Sequence, residues 1–432
     1  MESKPEKTNQ KVLIITPGRL PLPAKLGGAI EEYILKLSKE LTALGVDVTI
    51  LDILPNSQDS DSAYKFERIS NIKIVRIHKP KIPFLLSGLK HSTIIKGGRL
   101  LDEFLWGLAV KKFLSLHIRN EREPPWSIIH FNSPIPLAIS SRLLKKTNIH
   151  IVYTEHTYFA SERAGTFFFR KILEPKIMKS VLSSSSAIIA LSSKTASALA
   201  TFGINNDKIH VIALGIDEQY FHLNIEKSKA IELLPGSNRA SFIITFLGRV
   251  HPQKGIETLI EAAKMLKEHG VTDFVVLIGG PLSGDFSVNR DVPSPYALRL
   301  IKHVKKERLE HHVIFLGRLT QEQKMALLNT SSVLVLPSYY ETFGLVALEA
   351  MASGVPVIGS KVGALCDIIR SGYNGYLFKP GSSEELFSIL LFLYRNKEHL
   401  KELRKNARET ARKYLWSNIA KRTYELYKKL SW

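Results

Sequence analysis

The chain contains a single cysteine, Cys366, among 432 residues. An internal disulfide is therefore excluded, and a reducing, cytoplasmic compartment is the expectation. Long apolar runs are missing too: Lys, Arg or Ser interrupts every hydrophobic stretch well short of a membrane span. The first ten residues are polar and mixed in charge, so no signal peptide is expected. Acidic residues are scarce, with 40 Asp and Glu against 60 Lys and Arg, which leaves a formal net charge of +20. That excess points to an anionic partner, which could be nucleic acid, an anionic membrane surface or an acidic polymer. Zinc-ligand spacing, RNA-binding aromatic strands and basic heptad helices are all absent, which argues against nucleic acid. What is there is a globular composition, 44% hydrophobic, on a chain too long for one ordinary domain. Two α/β domains of near-equal size are the natural expectation.

The most informative stretch is Ser338–Pro356, SYYETFGLVALEAMASGVP. The apolar run Val333–Leu336, closed by Pro337, predicts a buried parallel strand. A polar loop carrying Glu341 follows, and Phe343-Gly344 opens a helical pattern. Leu345, Leu348 and Met351 form its apolar side, and Gly354 with Pro356 stops it. Glu341 and Glu349, eight positions apart, thus fall on the loop and inside the helix. Two acceptor-only carboxylates beside unpaired backbone N–H groups suit a polyhydroxylated anion. Hydroxyls donate to the carboxylates, while phosphate meets the helix start. Open parallel sheets bind their ligands at that strand edge.

The same order of strand, loop and helix recurs along the chain. Lys11–Thr16, a loop with Gly27-Gly28 and the pattern Ile30, Ile34, Leu37, Leu41, Leu44 make a βαβ opening. Glycines there let a ligand approach the backbone, although turn geometry alone would also use them. Ile149–Thr154 runs into Glu155-His156-Thr157. A histidine at such a strand end can donate a hydrogen bond to a hydroxyl or phosphate oxygen, or move a proton near pH 7. Phe221–Arg239, polar and containing Pro235-Gly236, reads as a connecting stretch. Strand Phe242–Leu247 is followed by Gly248–Gly255, GRVHPQKG, and a helix over 256–269. Arg249 and Lys254 flank that turn and suit a diphosphate, Arg as a fixed fork and Lys as a point charge. Surface salt bridging is the plainer alternative for both. Asp59-Ser60-Asp61 has no apolar strand running into it and reads as a solvated loop. Ile82–Ile118 is apolar, aromatic and basic together. It is either an amphipathic core helix with a solvated face or a surface for anionic lipid head groups. Glu384–Leu415 reads as long and helical, and Trp416–Trp432 as a basic amphipathic helix.

These motifs resemble the retaining, nucleotide-sugar-dependent glycosyltransferases of family 4. The likeness rests on Glu341 and Glu349 at E-x7-E spacing, Phe343-Gly344-Leu345, the A-x-G-x-P-V-I run Ala352–Ile358 and the G-R-x4-K-G run Gly248–Gly255. It implies an α/β chain with the GT-B fold: two facing Rossmann-like, doubly wound parallel-sheet domains with a C-terminal crossover helix. Residues 1–220 would bind the acceptor, 221–240 would link, 241–414 would bind the nucleotide sugar, and 415–432 would pack back on the first domain. The implied reaction moves a hexose-type sugar from a nucleoside diphosphate donor, UDP-sugar favoured, with retention of configuration. The acceptor would be a hydroxyl of a cell-envelope or surface glycan, polymer or lipid, reached from the cytoplasm or the inner membrane face.

The resemblance also implies roles for individual residues. Glu349 would accept hydrogen bonds from the ribose hydroxyls. Glu341 would bind the sugar hydroxyls, aided by the N–H groups of Phe343, Gly344 and Leu345. Arg249 and Lys254 would stabilise the departing diphosphate, and His156, in a T-x-H strand end, would contact the sugar near the breaking bond. Gly27 and Gly28 would lie against the diphosphate and acceptor, and Arg318-Leu319 would meet the base. No nucleophile is implied; helix dipole and cations stand in place of a metal, so neither cofactor nor metal is expected. Asp59 and Asp61 match the D-x-D of the other major glycosyltransferase fold. Leu214 departs from the family's Asn. Two rival readings stay open: a nucleotide-sugar epimerase on the same fold, which lacks E-x7-E, and a catalytically degenerate scaffold on an anionic polymer or membrane. The intact Glu341, Glu349, Arg249 and Lys254 speak against the scaffold.

Overall fold

Short apolar runs such as VLII of residues 12–15 and AIIA of residues 187–190 are buried along their whole length, as strands covered on both faces must be. In the computed structural model these runs build two parallel sheets, one in each of two units. The structure describes residues 10–23, 28–54, 64–80, 95–119, 125–156, 174–223, 225–234, 236, 238, 240–284, 292–341 and 343–431.

The first unit comprises Met1–Ala213 and Trp416–Trp432. Its strands are β1 (Lys11–Ile15), β2 (Asp47–Ile53), β3 (Tyr64–Ile69), β4 (Ile72–Ile77), β5 (Ile128–Phe131), β6 (His150–Glu155), β7 (Ala187–Ala190) and β8 (Ile209–Val211). They lie in the order β3-β4-β2-β1-β5-β6-β7-β8. All neighbours are parallel except β3, an antiparallel edge strand joined to β4 by a tight turn in which Ser70 takes φ 55°. The alternation in YKFERI is diluted by charges, which hides this strand in the sequence. β1 has β2 on one side and β5 on the other, so the strand order reverses there, and ligands of doubly wound sheets bind at such a reversal.

A buried polar cluster fastens the segment that leaves β1. Asp52, fully buried, accepts from Thr16 Oγ1 and from the Leu22 N–H, both at 2.8 Å. Arg76, on β4, bonds the same carboxylate at 2.6 Å. The helix Ile95–Arg119 presses Trp106 into the core, where its indole donates to the Thr16 carbonyl at 2.8 Å. On its outer face Phe104, Leu108 and Leu116 are exposed beside the exposed Lys111 and Lys112. The C-terminal helix Trp416–Ser431 packs on the helix Ala29–Ala43. Its Tyr427 is buried against His130 at 2.6 Å, and its Trp416 is buried too, so these two aromatic residues serve packing.

The second unit is Leu214–Leu415. Its strands are β9 (Phe242–Leu247), β10 (Phe274–Gly279), β11 (Val313–Gly317), β12 (Val333–Leu336), β13 (Val357–Ser360) and β14 (Gly375–Phe378), in the order β11-β10-β9-β12-β13-β14. All are parallel, and the reversal falls between β9 and β12. The helix Ile256–Glu268 buries Ile256, Leu259, Ile260, Ala263 and Leu266 at helical spacing. The single helix expected over 384–415 is two helices, Ser383–Arg395 and Lys397–Arg412, because Asn396 leaves helical geometry at φ −114°, ψ 72°. Within 221–240, expected as a connecting stretch, the helix Lys227–Leu233 packs on the helix Gln321–Thr330, with Ala230 and Leu234 fully buried. Asp59, Asp61 and residues 82–94 of the basic segment lie outside the described residues. Among the described residues no helix is long and apolar enough to cross a membrane.

The Asp52–Arg76 pair generates a test of stability. Arg76→Met strands a buried carboxylate and is expected to cost about 3–5 kcal/mol, seen as a lowered thermal midpoint. Adding Asp52→Asn should restore part of that loss, because the cost comes from the unpaired charge. Equal midpoints for wild type and Arg76→Met would disprove the account.

Candidate functional site

At the β9/β12 reversal two strand-end loops are sewn together. The loop after β9, Gly248–Gly255, forms a 3-10 turn over Pro252–Lys254 and enters its helix at Gly255, with φ 60°. A Cβ on Gly255 would overlap the carbonyl of Pro337, at the end of β12, so only glycine permits this approach. The Tyr339 N–H donates to the Gln253 carbonyl at 2.9 Å, and the Gln253 amide donates to the Tyr340 carbonyl at 3.3 Å. The result is that Lys254 Nζ lies 2.6 Å from Glu341 Oε2, with side chains only 18% and 15% exposed.

Glu341 is held from behind by Gly363, at φ 51°, because a Cβ there would strike the Glu341 carbonyl. Gly344 turns the chain at φ 76° into the helix Leu345–Ala352, and no side chain caps that start. Among the described residues its first N–H groups thus lack a side-chain cap. Phe343 is buried, and Leu345 is half-buried. Arg249 donates to the Gly284 carbonyl at 3.2 Å. Burial, and then the charges of Arg249 and Lys254, push the His251 imidazole below its ordinary pKa, as expected where a positive field is concentrated.

Glu349 sits in its own polar cage. The Tyr220 hydroxyl donates to Oε1 at 3.0 Å, Lys324 Nζ bonds the carboxylate at 2.6 Å, and Gln321 donates to the Tyr220 hydroxyl at 3.1 Å. Burial and the Glu349 charge hold the Tyr220 hydroxyl protonated, with its pKa raised. Sequence reasoning missed Tyr220, Gln321 and Lys324. The capping box Thr320/Gln323 does mark the start of the helix that carries Gln321 and Lys324, but no spacing rule links Lys324 to Glu349, 25 positions away. Arg318 is exposed and Leu319 half-buried at the end of β11, two strands away from β9. Leu214 is buried.

In the first unit, Gly28 caps the helix Ala29–Ala43 at φ 150° without a side-chain bond, whereas Gly27 lies outside the described residues. Glu31, in that helix's first turn, is buried, which raises its carboxyl pKa. His156 follows β6 directly and is buried too. Its Nε2 lies 2.9 Å from Asn132 Oδ1, and the Tyr33 ring stands edge-on with centroids 4.9 Å apart. Burial, and secondarily His130, push the His156 pKa down to about 3. The ring is therefore neutral near pH 7, and of the roles open from the sequence, proton transfer there is the one this environment opposes.

Residues 230–410 match the family described as Glycosyl transferases group 1, and residues 27–220 match Glycosyltransferase Family 4. The chain is 26% identical over 421 residues to the MMP alpha-(1->4)-mannosyltransferase of Mycolicibacterium hassiacum, covering 92% of this chain and 93% of that one. It is 34% identical over 233 residues to an uncharacterised glycosyltransferase of Methanocaldococcus jannaschii, covering 52% of this chain and about half, 55%, of that relative. Among solved structures, Anabaena HepE in complex with UDP shares the fold with a TM-score of 0.69 at 18% identity, over 97% of this chain and 100% of that one.

The packing of Gly363 against Glu341 can be tested directly. Gly363→Ala is expected to lower stability by about 1–3 kcal/mol, from the positive φ and the clash, and to part Glu341 from Lys254. A crystal structure of the variant with that pair intact, together with an unchanged thermal midpoint, would refute the assignment.

Proposed function

As the chain belongs to family 4 of the glycosyltransferases, with the GT-B fold, we propose that it transfers a hexose-type sugar from a nucleoside diphosphate sugar to an acceptor hydroxyl with retention of anomeric configuration. A UDP-sugar is the favoured donor, in keeping with the UDP complex of HepE. The observation that carries the reading is the pairing of Lys254 with Glu341 beside Arg249, at the carboxyl ends of β9 and β12.

A donor entering there would take both members of the ion pair. The diphosphate would draw Lys254 and Arg249, and the sugar hydroxyls would donate to Glu341. The N–H groups of Phe343, Gly344 and Leu345 would add their partial charges, and Glu349 would accept from the ribose, exchanging contacts with Tyr220 and Lys324. The bond from the anomeric carbon to the phosphate oxygen breaks as the acceptor oxygen bonds the same face, and the acceptor proton passes to the leaving phosphate. Two cations and a helix start neutralise the charge that develops on that phosphate, so the reaction needs no metal. His156 would contact the sugar, Gly28 the diphosphate and acceptor, and Arg318-Leu319 the base.

The acceptor is proposed to be a glycan, polymer or lipid of the cell envelope, with the enzyme cytoplasmic and peripheral at the inner membrane face. Supporting this are the net charge of +20 and the outer face of the helix Ile95–Arg119, where Phe104, Leu108 and Leu116 stand exposed beside Lys111 and Lys112.

Incubation with UDP-, GDP- and ADP-sugars in EDTA, and then with Mg²⁺, should release nucleoside diphosphate from one donor in both conditions. Lys254→Ala and Glu341→Ala are each expected to lower kcat by about 10²–10³. Release that requires Mg²⁺ would overturn the metal-free mechanism, and no release combined with no donor binding would overturn the transferase reading. In sedimentation with phosphatidylglycerol-containing vesicles, Lys111→Ala/Lys112→Ala should weaken binding roughly thirtyfold, at about 1 kcal/mol per lysine. Equal binding by the variant, or binding indifferent to salt, would remove the membrane from the proposal.

A further inference from the structure

We infer that Asn132 is a positioning residue that fixes the tautomer of His156, so that the imidazole offers Nδ1 as an acceptor to a substrate hydroxyl. The inference rests on the proposed role of His156 as a sugar contact.

Asn132 is the first residue after β5, and His156 the first after β6; these strands are parallel neighbours, with Phe131 paired to Tyr153. Both residues therefore emerge at the carboxyl edge beside the β1/β5 reversal, and both are buried. The amide has two possible orientations, and a main-chain atom selects one. Asn132 Nδ2 lies 3.2 Å from the carbonyl of Ile15, the last residue of β1. A carbonyl only accepts, so the NH₂ end must face it and Oδ1 must face the ring. Oδ1 likewise only accepts, so the nitrogen 2.9 Å away, Nε2, must carry the proton. A neutral imidazole protonated at Nε2 has one lone pair left, at Nδ1.

The surroundings keep the ring in that state. Tyr33 faces it from the helix Ala29–Ala43, and burial pushes that phenol up to about 12. His130, on β5, is itself buried, with its pKa pushed down to about 3, and it is engaged by Thr154 and Tyr427. Glu155, beside His156 in the chain, takes the Tyr153 hydroxyl at 2.7 Å. A nitrogen lone pair recognises an O–H and repels an anionic oxygen. His156 would therefore favour a sugar hydroxyl at its contact and disfavour a carboxylate or phosphate there.

The test reads the tautomer in the free protein by long-range ¹H–¹⁵N correlation on ¹⁵N-histidine-labelled enzyme, with His156→Gln assigning the signals. The expected wild-type result is an Nε2–H ring, unchanged across roughly pH 5 to 8, where an ordinary histidine titrates. Asn132→Asp, nearly isosteric, keeps the acceptor but adds charge. In it His156 should gain a second proton within that range, and kcat should acquire a new limb that falls as pH falls, because Nδ1 is then occupied. Asn132→Ala should yield mixed tautomers and lower kcat/KM by about ten- to a hundredfold, the scale of one lost buried hydrogen bond. An Nδ1–H ring in the wild type, an unchanged tautomer in Asn132→Ala, or no new limb in Asn132→Asp would overturn the inference. Absence of turnover with every donor would count against the transferase reading instead, since the spectra decide the tautomer without substrate.

Discussion

A lysine and a glutamate 87 positions apart, held 2.6 Å from each other, join the loops that leave β9 and β12 in the second unit. The pair exists because the loops after β9, β12 and β13 approach more closely than side chains allow. Gly255 lies against the Pro337 carbonyl and Gly363 against the Glu341 carbonyl, and each would clash if it carried a Cβ. With the main chains so placed, neither charge must be ordered when a ligand arrives. Their mutual attraction also keeps two partly dehydrated charges compensated.

The two units treat polar groups in opposite ways. In the second, charged side chains meet as ion pairs around a helix start, Lys254 with Glu341 and Lys324 with Glu349. In the first, the groups at the β5 and β6 ends include buried neutral ones: His156, His130 and Tyr427 form contacts in which desolvation suppresses ionisation. Ion pairs thus mark the strand ends of the second unit, and hydrogen bonds between neutral rings and hydroxyls the β5/β6 edge of the first. Beside them the buried Asp52–Arg76 ion pair, with Thr16, ties the segment after β1 to β2 and β4.

Much of the fold was legible because its signals are local. Buried parallel strands appear as uninterrupted apolar runs, and glycine or proline marks where they turn. The helix Ile256–Glu268 shows its buried face in its periodicity. β3 was hidden because an edge strand can carry Lys, Glu and Arg without penalty, so its alternation fades. The break at Asn396 was hidden because a single residue with ordinary helix neighbours interrupts a pattern that is periodic on both sides.

The sequence by itself determined which residues could do chemistry: the glutamates of the E-x7-E spacing, Arg249 and Lys254 on one turn, and a histidine at a strand end. Their partners were decided only by the tertiary structure. Lys324 and Tyr220 at Glu349, and Asn132 at His156, come from other strands or helices and obey no spacing rule. Motifs arise where one loop supplies several groups, whereas a sheet assembles its strand ends in spatial order. The protonation of His156 follows from that assembly, because burial and the fixed Ile15 carbonyl act on it only once β1, β5 and β6 lie side by side.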